Sequence, residues 1–237
     1  MLKEVIILAG GFGTRLRSVI AGIPKPMADI SGKPFLHYLL SHVQKAGAEK
    51  VILSVGYKAE IIEAHFGRNY LGMEIIYAFE NEPLGTGGGI RLAMEKCEGE
   101  NVLTMNGDSF FGISLNALSE FHAQHNADAT LALRKVSDAS RYGTIETGTG
   151  SRILSFREKN PAVTGEALIN AGVYLLRREL FLGKTRGGKA FSIENDFFAP
   201  NAATLRFYGM KSDDYFIDIG IPEDYERAKK EFVQLYS

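Results

Sequence analysis

The chain has 237 residues, enough for one large domain with a sizeable core, and its 27 basic and 28 acidic residues leave a net charge of −1. This balance gives no electrostatic attraction to nucleic acid or to an anionic membrane. The single cysteine, Cys97, excludes an intramolecular disulfide, and we interpret it as a small packing residue. The start is unlike a signal sequence and no apolar stretch reaches roughly 18–20 residues, so we predict a cytoplasmic location.

The first half of the chain alternates between strand-like and helix-like segments. Apolar residues recur at helical spacing between Pro34 and Gly47, which predicts a helix over 34–46. Strands are predicted over 5–9, 51–55, 73–79 and 101–105, and further helices over 59–65, 90–96 and 115–125, with a glycine-rich turn at 85–89. This alternation predicts an α/β fold with a Rossmann-like, mostly parallel mixed sheet, helices on both faces and ligands at the carboxyl ends of the strands.

The second half changes character. Segments 128–134, 143–146, 152–156 and 169–176 look like strands separated by turns, with few helical stretches. We therefore expect an antiparallel or mixed sub-sheet that adds a lid or a substrate wall. A final helix is predicted over 223–235, after Pro222. No internal repeat or linker divides the chain.

A glycine-rich loop follows the first predicted strand. Its residues Gly10, Gly11 and Gly13 would let backbone N–H groups approach an anion, and the cations Arg15 and Lys25 could neutralise phosphate charge. The dinucleotide fingerprint requires glycine where this chain has Leu16, and a P-loop would end in Gly-Lys-Ser/Thr, so both patterns fail. A simple strand-to-helix turn would not require three glycines together with two cations. We therefore favour a phosphate loop over such a turn, and we disfavour a dinucleotide oxidoreductase.

Two carboxylates are candidates for a metal site. Asp108 follows a buried strand and a glycine, whereas Asp218 is a lone acid inside an apolar run. A buried charge there is costly unless it is paired or bound to a metal. Each could instead be an ordinary turn or capping residue. Together with a phosphate loop they suit Mg²⁺, which takes one or two protein carboxylates and fills its octahedron with phosphate oxygens and water.

A third cluster suggests recognition of a sugar phosphate. Glu158 could accept hydrogen bonds from sugar hydroxyls while the adjacent Lys159 holds a phosphate, and Asn170 offers both a donor and an acceptor. Gly143 would let the backbone approach the sugar closely. Taken alone, an adjacent Glu and Lys are more often a solvated strand edge.

These motifs resemble the signature of sugar-1-phosphate nucleotidylyltransferases. The match runs in order over nearly the whole chain, and as an ordered set it is specific for that family. The motifs that carry it are Leu8 to Leu16 with Pro24-Lys25-Pro26, Asn106-Gly107-Asp108, Arg141-Tyr142-Gly143, Glu158-Lys159, Asn170-Ala171-Gly172 and Asp218-Ile219-Gly220-Ile221-Pro222. The resemblance implies a glycosyltransferase-A-like nucleotidyltransferase fold in one domain, with residues 1–126 as the nucleotide-binding half and 127–237 as the sugar-phosphate-binding half.

The resemblance also implies roles for individual residues. It implies Mg²⁺ as cofactor, a catalytic set and two substrate-binding sets. The catalytic residues would be Arg15 on the outer phosphates, Lys25 at the α-phosphate, and Asp108 and Asp218 as metal ligands. The nucleotide-binding set would be Leu8, Gly10, Gly11, Gly13, Thr14, Arg15, Glu80, Gly85 and Thr86. The sugar-phosphate-binding set would be Asn106, Gly143, Glu158, Lys159 and Asn170.

The base and the sugar are weaker inferences. Thymidylyl and some uridylyl relatives carry a Gln-Pro element where this chain has Phe79 to Gly85, and Glu80 could accept the N1–H and N2–H₂ donors of guanine. Within the family the chain most resembles the D-glycero-D-manno-heptose 1-phosphate guanylyltransferase branch, so the expected partners are GTP and a sugar 1-phosphate. Three alternatives stay open: a mannose-1-phosphate guanylyltransferase, a thymidylyl- or uridylyltransferase acting on glucose or N-acetylmuramate 1-phosphate, and a silent nucleotide-sugar sensor. A homo-oligomer is also left open.

Overall fold

A mixed β-sheet forms the centre of the molecule. The computed structural model describes residues 2–11, 16, 20, 22–140, 142–157 and 165–236. Its strands are β1 (Glu4–Leu8), β2 (Asp29–Ile30), β3 (Lys33–Pro34), β4 (Lys50–Val55), β5 (Asn69–Tyr70), β6 (Met73–Phe79), β7 (Asn101–Asn106), β8 (Ser109–Phe111), β9 (Ala129–Val136), β10 (Thr144–Thr147), β11 (Ile153–Arg157), β12 (Ala167–Arg177), β13 (Phe207–Ser212) and β14 (Phe216–Asp218). Of these, ten strands form one sheet, and β2–β3 and β8–β14 form separate two-stranded ladders.

The middle of the large sheet is parallel. Strands β7, β1, β4 and β6 lie side by side in that order and run in the same direction. Strand β12 joins β7 antiparallel, and β9, β10 and β11 continue the sheet beyond it. The predicted α/β fold with a mostly parallel, mixed sheet is therefore confirmed.

Helices cover both faces of the sheet. They are α1 (Phe35–Lys45), α2 (Ala59–Phe66), α3 (Gly85–Met94), α4 (Leu115–Gln124), α5 (Arg178–Lys184), α6 (Ala199–Asn201) and α7 (Pro222–Tyr236), with a π-helix over Ile193–Phe198. Alternate strand residues point to opposite faces: Val5 and Ile7 pack with α1, α2, α4 and α7, whereas Ile6 packs with α3, α5 and the π-helix. Within the described part of the chain, no helix has the length and apolar character needed to cross a membrane.

The helix α3 corrects one prediction. The glycines at 85–89 are not a turn before a helix; they form the first half of α3, which begins at Gly85. Glycine is a poor helix former, which explains the error. The reason for the glycines is tertiary: a Cβ added at Gly87 would lie 2.1 Å from Cε2 of Phe191, a residue distant in sequence. The helix therefore needs glycine at this position to pack against the ring of Phe191.

The second half of the chain has the expected antiparallel pairing, in the β10–β11, β10–β12 and β9–β12 ladders. These strands extend the central sheet, because β12 pairs with β7 over Val173–Met105 to Arg177–Asn101. The role of this part as a lid or substrate wall stays a prediction. This half also contains α5 and the π-helix, which the sequence analysis did not predict. Both helices are short, and the segment between them is rich in glycine and basic residues, so the sequence shows no clear helical periodicity there. The division into a nucleotide half and a sugar half stays a prediction.

The cysteine behaves as predicted. Cys97 is buried beside the end of α3. Burial raises the pKa of its thiol to about 12, so the thiolate that nucleophilic chemistry requires is disfavoured. Cys97 is therefore a packing residue.

Candidate functional site

A cavity of about 420 Å³ opens at the carboxyl ends of the parallel strands. Strands β1, β6 and β7 end at its rim, and α3 begins there. This is the edge at which open α/β sheets bind ligands. The described residues from the predicted nucleotide-binding set that line it are Leu8, Gly10, Gly11, Glu80, Gly85 and Thr86.

Three predicted catalytic residues meet in this cavity. Lys25 begins a short 3₁₀ turn after Pro24, and its side chain is only 10% exposed. Its Nζ lies 2.8 Å from Oδ2 of Asp108 and 3.5 Å from Oδ1 of Asp218. The lysine therefore does not stand alone over the glycine loop: it bridges two carboxylates that are far apart in sequence.

A small ladder brings the two carboxylates together. Strands β8 and β14 pair antiparallel, with Ser109 opposite Asp218. The backbone N–H of Ile219 then donates to the carbonyl of Asp108 at 3.0 Å. The N–H of Gly220 donates to Oδ1 of Asp218 at 2.8 Å, which fixes that carboxylate. The proximity of the two acids, which the sequence could only suggest, is a consequence of this pairing.

The carboxylates of Asp108 and Asp218 can be tested as metal ligands. Both lie within salt-bridge distance of one nitrogen, so their oxygens converge on a common point. Within the described residues, no group of three or more His, Cys, Asp or Glu side chains could hold a metal ion. The donors thus fit a hard cation that takes one or two carboxylates and shares its other positions with a bound phosphate. Mg²⁺ itself stays a prediction.

Glu80 also lines the cavity and is held in place. It follows β6, and its Oε2 accepts a hydrogen bond from the N–H of Leu84 at 3.0 Å. Its Oε1 accepts from the hydroxyl of Ser54 at 2.9 Å. Ser54 is fully buried and was missed by the sequence analysis, although a lone polar residue inside the apolar strand β4 was a signal. The carboxylate of Glu80 is therefore fixed before any ligand binds.

Thr86 borders the cavity, but its hydroxyl is already engaged. It donates to Oε2 of Glu194 at 3.0 Å and accepts from the N–H of Ile193 at 3.0 Å. A hydroxyl has one proton to donate, so this proton is committed to Glu194 and not to a nucleotide. No sequence motif pointed to Glu194, which lies on the π-helix.

The predicted sugar-side residue Asn106 lies in the wall of the cavity. Gly143 and Asn170 are not among the described residues that line it. The pairing of Thr144 with Ile169 places them beside each other at the β10–β12 ladder. Asn170 begins a β-bulge, in which its Oδ1 accepts from the N–H of Gly172 at 2.9 Å.

The bulge contacts the cavity through Asn106. Gly172 has a φ of +76°, and a Cβ added there would lie 2.6 Å from Nδ2 of Asn106, so glycine is required. Asn106 lines the cavity, and among the described residues its buried Oδ1 has no hydrogen-bond partner. The bulge thus joins the predicted sugar-binding residue Asn170 to the wall of the nucleotide cavity.

Some predicted residues lie outside the described part of the chain. These are Gly13, Thr14 and Arg15 of the glycine loop, Arg141, and the pair Glu158 and Lys159. Their assignments therefore stay predictions.

A larger cavity, of about 790 Å³, lies at the opposite edge of the sheet. It is at the amino ends of β1, β4 and β7, where Glu4 and Lys50 form a 2.6 Å ion pair. Burial opposes the ionisation of Glu4, but hydrogen bonds from Lys50 and from the N–H groups of Gly99 and Glu98 outweigh it and lower its pKa. These charges are satisfied within the protein, and we place the functional site at the carboxyl edge.

The fold and the site together define the class of protein. A parallel α/β sheet whose carboxyl edge carries a glycine-lined cavity, a buried lysine and two acids is suited to binding a phosphorylated nucleotide. The chain belongs to the nucleotidyl transferase family, whose model matches residues 4–234. This membership excludes the dinucleotide oxidoreductase.

Similar proteins agree with this assignment over nearly the full chain. A D-glycero-α-D-manno-heptose 1-phosphate guanylyltransferase from Aneurinibacillus thermoaerophilus is 48% identical, over 96% of this chain and 97% of the relative. One of the same name from Campylobacter jejuni is 42% identical, over 94% and 96%. The crystal structure of HddC from Yersinia pseudotuberculosis, complexed with GMP-PN, is 38% identical with a TM-score of 0.85, covering 98% of this chain and all of that one.

Proposed function

We propose that this enzyme transfers GMP from GTP to D-glycero-α-D-manno-heptose 1-phosphate, giving GDP-heptose and pyrophosphate. The observation that carries the proposal is the convergence of Lys25, Asp108 and Asp218 at the nucleotide edge of the sheet. The two guanylyltransferases that match the chain end to end support the choice of base and sugar.

The reaction needs alignment and charge stabilisation more than covalent chemistry. An oxygen of the sugar phosphate forms a bond to the α-phosphorus of GTP, and the bond between the α-phosphorus and the bridging oxygen to the β-phosphate breaks. Pyrophosphate leaves with the electron pair. The attacking oxygen is already an anion at neutral pH, so no general base is required. Lys25 would stabilise the negative charge that develops at the α-phosphoryl group.

Asp108 and Asp218 would hold the metal ion. When bound there, Mg²⁺ would reduce repulsion between the two anionic substrates and help to orient the leaving group. Lys25 bridges the two carboxylates and offsets one of their two negative charges in the protein itself. Arg15, outside the described residues, would hold the outer phosphates.

Glu80 would recognise the guanine base. Its carboxylate lines the cavity and is oriented by Ser54 and Leu84. Guanine offers N1–H and N2–H₂ as donors, and a carboxylate can accept both. Thymine offers one N–H and carbonyl oxygens, which a carboxylate repels. Glu80 therefore favours GTP over dTTP and UTP.

The sugar phosphate would lie on the side of Asn106 and the β12 bulge. Asn106 lines the cavity and would contact the sugar phosphate, and the bulge that carries Asn170 contacts the Asn106 side chain through Gly172. Glu158 and Lys159 would complete this side. The cytoplasmic location stays a prediction.

The experiment measures pyrophosphate release. GTP, UTP, dTTP and CTP are each tested with heptose, mannose and glucose 1-phosphates, at several Mg²⁺ concentrations. We expect the highest kcat/KM for GTP with heptose 1-phosphate. A preference for dTTP or UTP would overturn the guanylyl assignment, and activity with mannose 1-phosphate alone would overturn the sugar. Tight GTP binding without turnover of any pair would identify a silent sensor instead.

A further inference from the structure

A hydrogen-bond network crosses from the first turn of α3 to the β12 bulge. At its centre is Glu194, half-buried on the π-helix Ile193–Phe198. Its Oε2 accepts from the hydroxyls of Thr86 at 3.0 Å and Ser192 at 2.9 Å. Its Oε1 accepts from the hydroxyl of Tyr174 at 3.5 Å. One carboxylate therefore contacts three elements of the fold.

The network has a fixed direction. The carboxylate of Glu194 can only accept, so Tyr174 must donate its single proton to it. The oxygen of Tyr174 is then left to accept from Nδ2 of Asn170, at 2.7 Å. The Oδ1 of Asn170 accepts from the N–H of Gly172, at 2.9 Å, and this backbone group can only donate, so it fixes which way the amide points. Glu194 is thus the terminal acceptor of a chain of donors that runs from Gly172 through Asn170 and Tyr174.

Tyr174 is buried, so its hydroxyl cannot exchange these hydrogen-bond partners for water. Its side chain is completely buried in β12, and burial, with the neighbouring charge of Glu194, raises the pKa of its hydroxyl. A buried hydroxyl must keep its partners, because an unsatisfied one is costly. The buried hydroxyl of Tyr174, which accepts from Nδ2 of Asn170, therefore needs an acceptor at Glu194.

The other end of the network is Thr86, which belongs to the predicted nucleotide-binding set; this set is the nucleotide side of the site. Thr86 lies in the first turn of α3 and lines the cavity, and Ile193 N–H donates to the same hydroxyl that contacts Glu194. Glu194 and the backbone beside it therefore clamp the start of α3. A π-helix is rare and is often found at functional sites, and here it places this carboxylate between the two substrate sides.

We propose that Glu194 is a positioning residue that holds Thr86 of the nucleotide side with one oxygen and, through Tyr174, Asn170 of the sugar side with the other. It contacts neither substrate and acts through these neighbours. The substrate sides rest on the function proposed above, but the network itself does not. Loss of the carboxylate loosens both sides at once.

The test distinguishes the contact of Glu194 with Thr86 from its contact with Tyr174 and Asn170, by measuring the KM of each substrate. These two sets of contacts are the two branches of the network. Glu194→Gln keeps the shape of the side chain but can turn an N–H donor toward Tyr174. We expect it to raise the KM for the nucleotide and the KM for the sugar phosphate, each about tenfold. This factor corresponds to the usual cost of losing a hydrogen bond to a charged group. Thr86→Val should raise only the nucleotide KM, and Tyr174→Phe only that of the sugar phosphate. The matched control is Glu120→Gln, the same change at an exposed glutamate on α4, which should leave both KM values unchanged.

Each outcome bears on the proposal. The assays use the substrate pair that the wild type turns over fastest, so a wrong base or sugar assignment leaves the comparison valid. If Glu194→Gln lowers the thermal midpoint but leaves both KM values unchanged, Glu194 is only structural and the proposal fails. It also fails if Thr86→Val raises the two KM values equally, because the branches are then not separate. Combining Thr86→Val with Glu194→Gln should add nothing to the nucleotide KM; full additivity would overturn the clamp.

Discussion

Substituting Gly87 in α3 should strain the wall of the nucleotide cavity. The added Cβ of Gly87→Ala would lie 2.1 Å from Cε2 and 2.3 Å from Cδ2 of Phe191. The backbone at Phe191 cannot simply move away from α3, because two hydrogen bonds join them. The N–H of Gly87 donates to the carbonyl of Phe191, and the N–H of Phe191 donates to the carbonyl of Leu84, each at 2.9 Å. Overpacking of this kind costs about 1–3 kcal/mol, whereas alanine gains at most about 1 kcal/mol of helix propensity. We therefore expect a net loss of up to about 2 kcal/mol in the free energy of unfolding.

The control for this experiment is Gly183→Ala in α5. A Cβ added at Gly183 meets nothing within 4 Å, so only the gain in helix propensity applies and stability should rise slightly. Urea unfolding of both variants gives the two free energies. The double variant Gly87→Ala/Phe191→Ala should be less destabilised than the sum of its singles, and Gly87→Ala should also raise the KM for GTP. A Gly87→Ala protein as stable as Gly183→Ala would refute the reasoning.

The remaining predictions concern catalysis and pH. Lys25→Ala should lower kcat about 10²–10³-fold while the protein stays folded by circular dichroism, because charge at the transition state is no longer stabilised; wild-type turnover would contradict its role. Burial lowers the pKa of His122 from 6.5 to about 4, so the unfolded chain binds a proton first and stability falls by roughly 3 kcal/mol as the pH drops from about 6.5 to 4. When urea unfolding is measured at several pH values, His122→Gln should lose this decrease in stability, whereas the exposed His65→Gln should keep it. An unchanged decrease in His122→Gln would show that His122 is not its source. Although burial opposes its ionisation, hydrogen bonds from Arg206 lower the pKa of Asp128 below its ordinary 3.8, so its stabilising effect is complete above about pH 4 and is lost at lower pH. Asp128→Asn should therefore lose less stability than the wild type between about pH 4 and 2, and an equal loss would count against the pairing.

The central sheet could be predicted because its signals are local. Strand β6 has the predicted bounds, and α1 differs by one residue at each end, since apolar spacing and a following glycine determine such elements. The start of α3 could not be predicted in the same way. Its glycines oppose helix formation locally, and their justification is the ring of Phe191, about a hundred residues later.

The site was predictable by residue type more than by geometry. Asp108 stands out because it follows Asn106 and Gly107 at the end of a strand. Its meeting with Asp218 depends on the β8–β14 ladder, which is too short to give a periodic signal. Ser54 and Glu194 act on other side chains within the protein, so no substrate-binding motif indicates them.

The β8–β14 ladder also has a consequence for synthesis on the ribosome. Lys25 and Asp108 are 83 residues apart, and Asp218 comes later still, just before the last helix. Strands β1, β4, β6 and β7 have all been synthesised well before β14, so a nascent chain can assemble the parallel core and its nucleotide edge first. Until β14 pairs with β8, Lys25 has only one of its two acids. The chain therefore acquires its complete reaction centre only once β14 has left the ribosome and paired with β8.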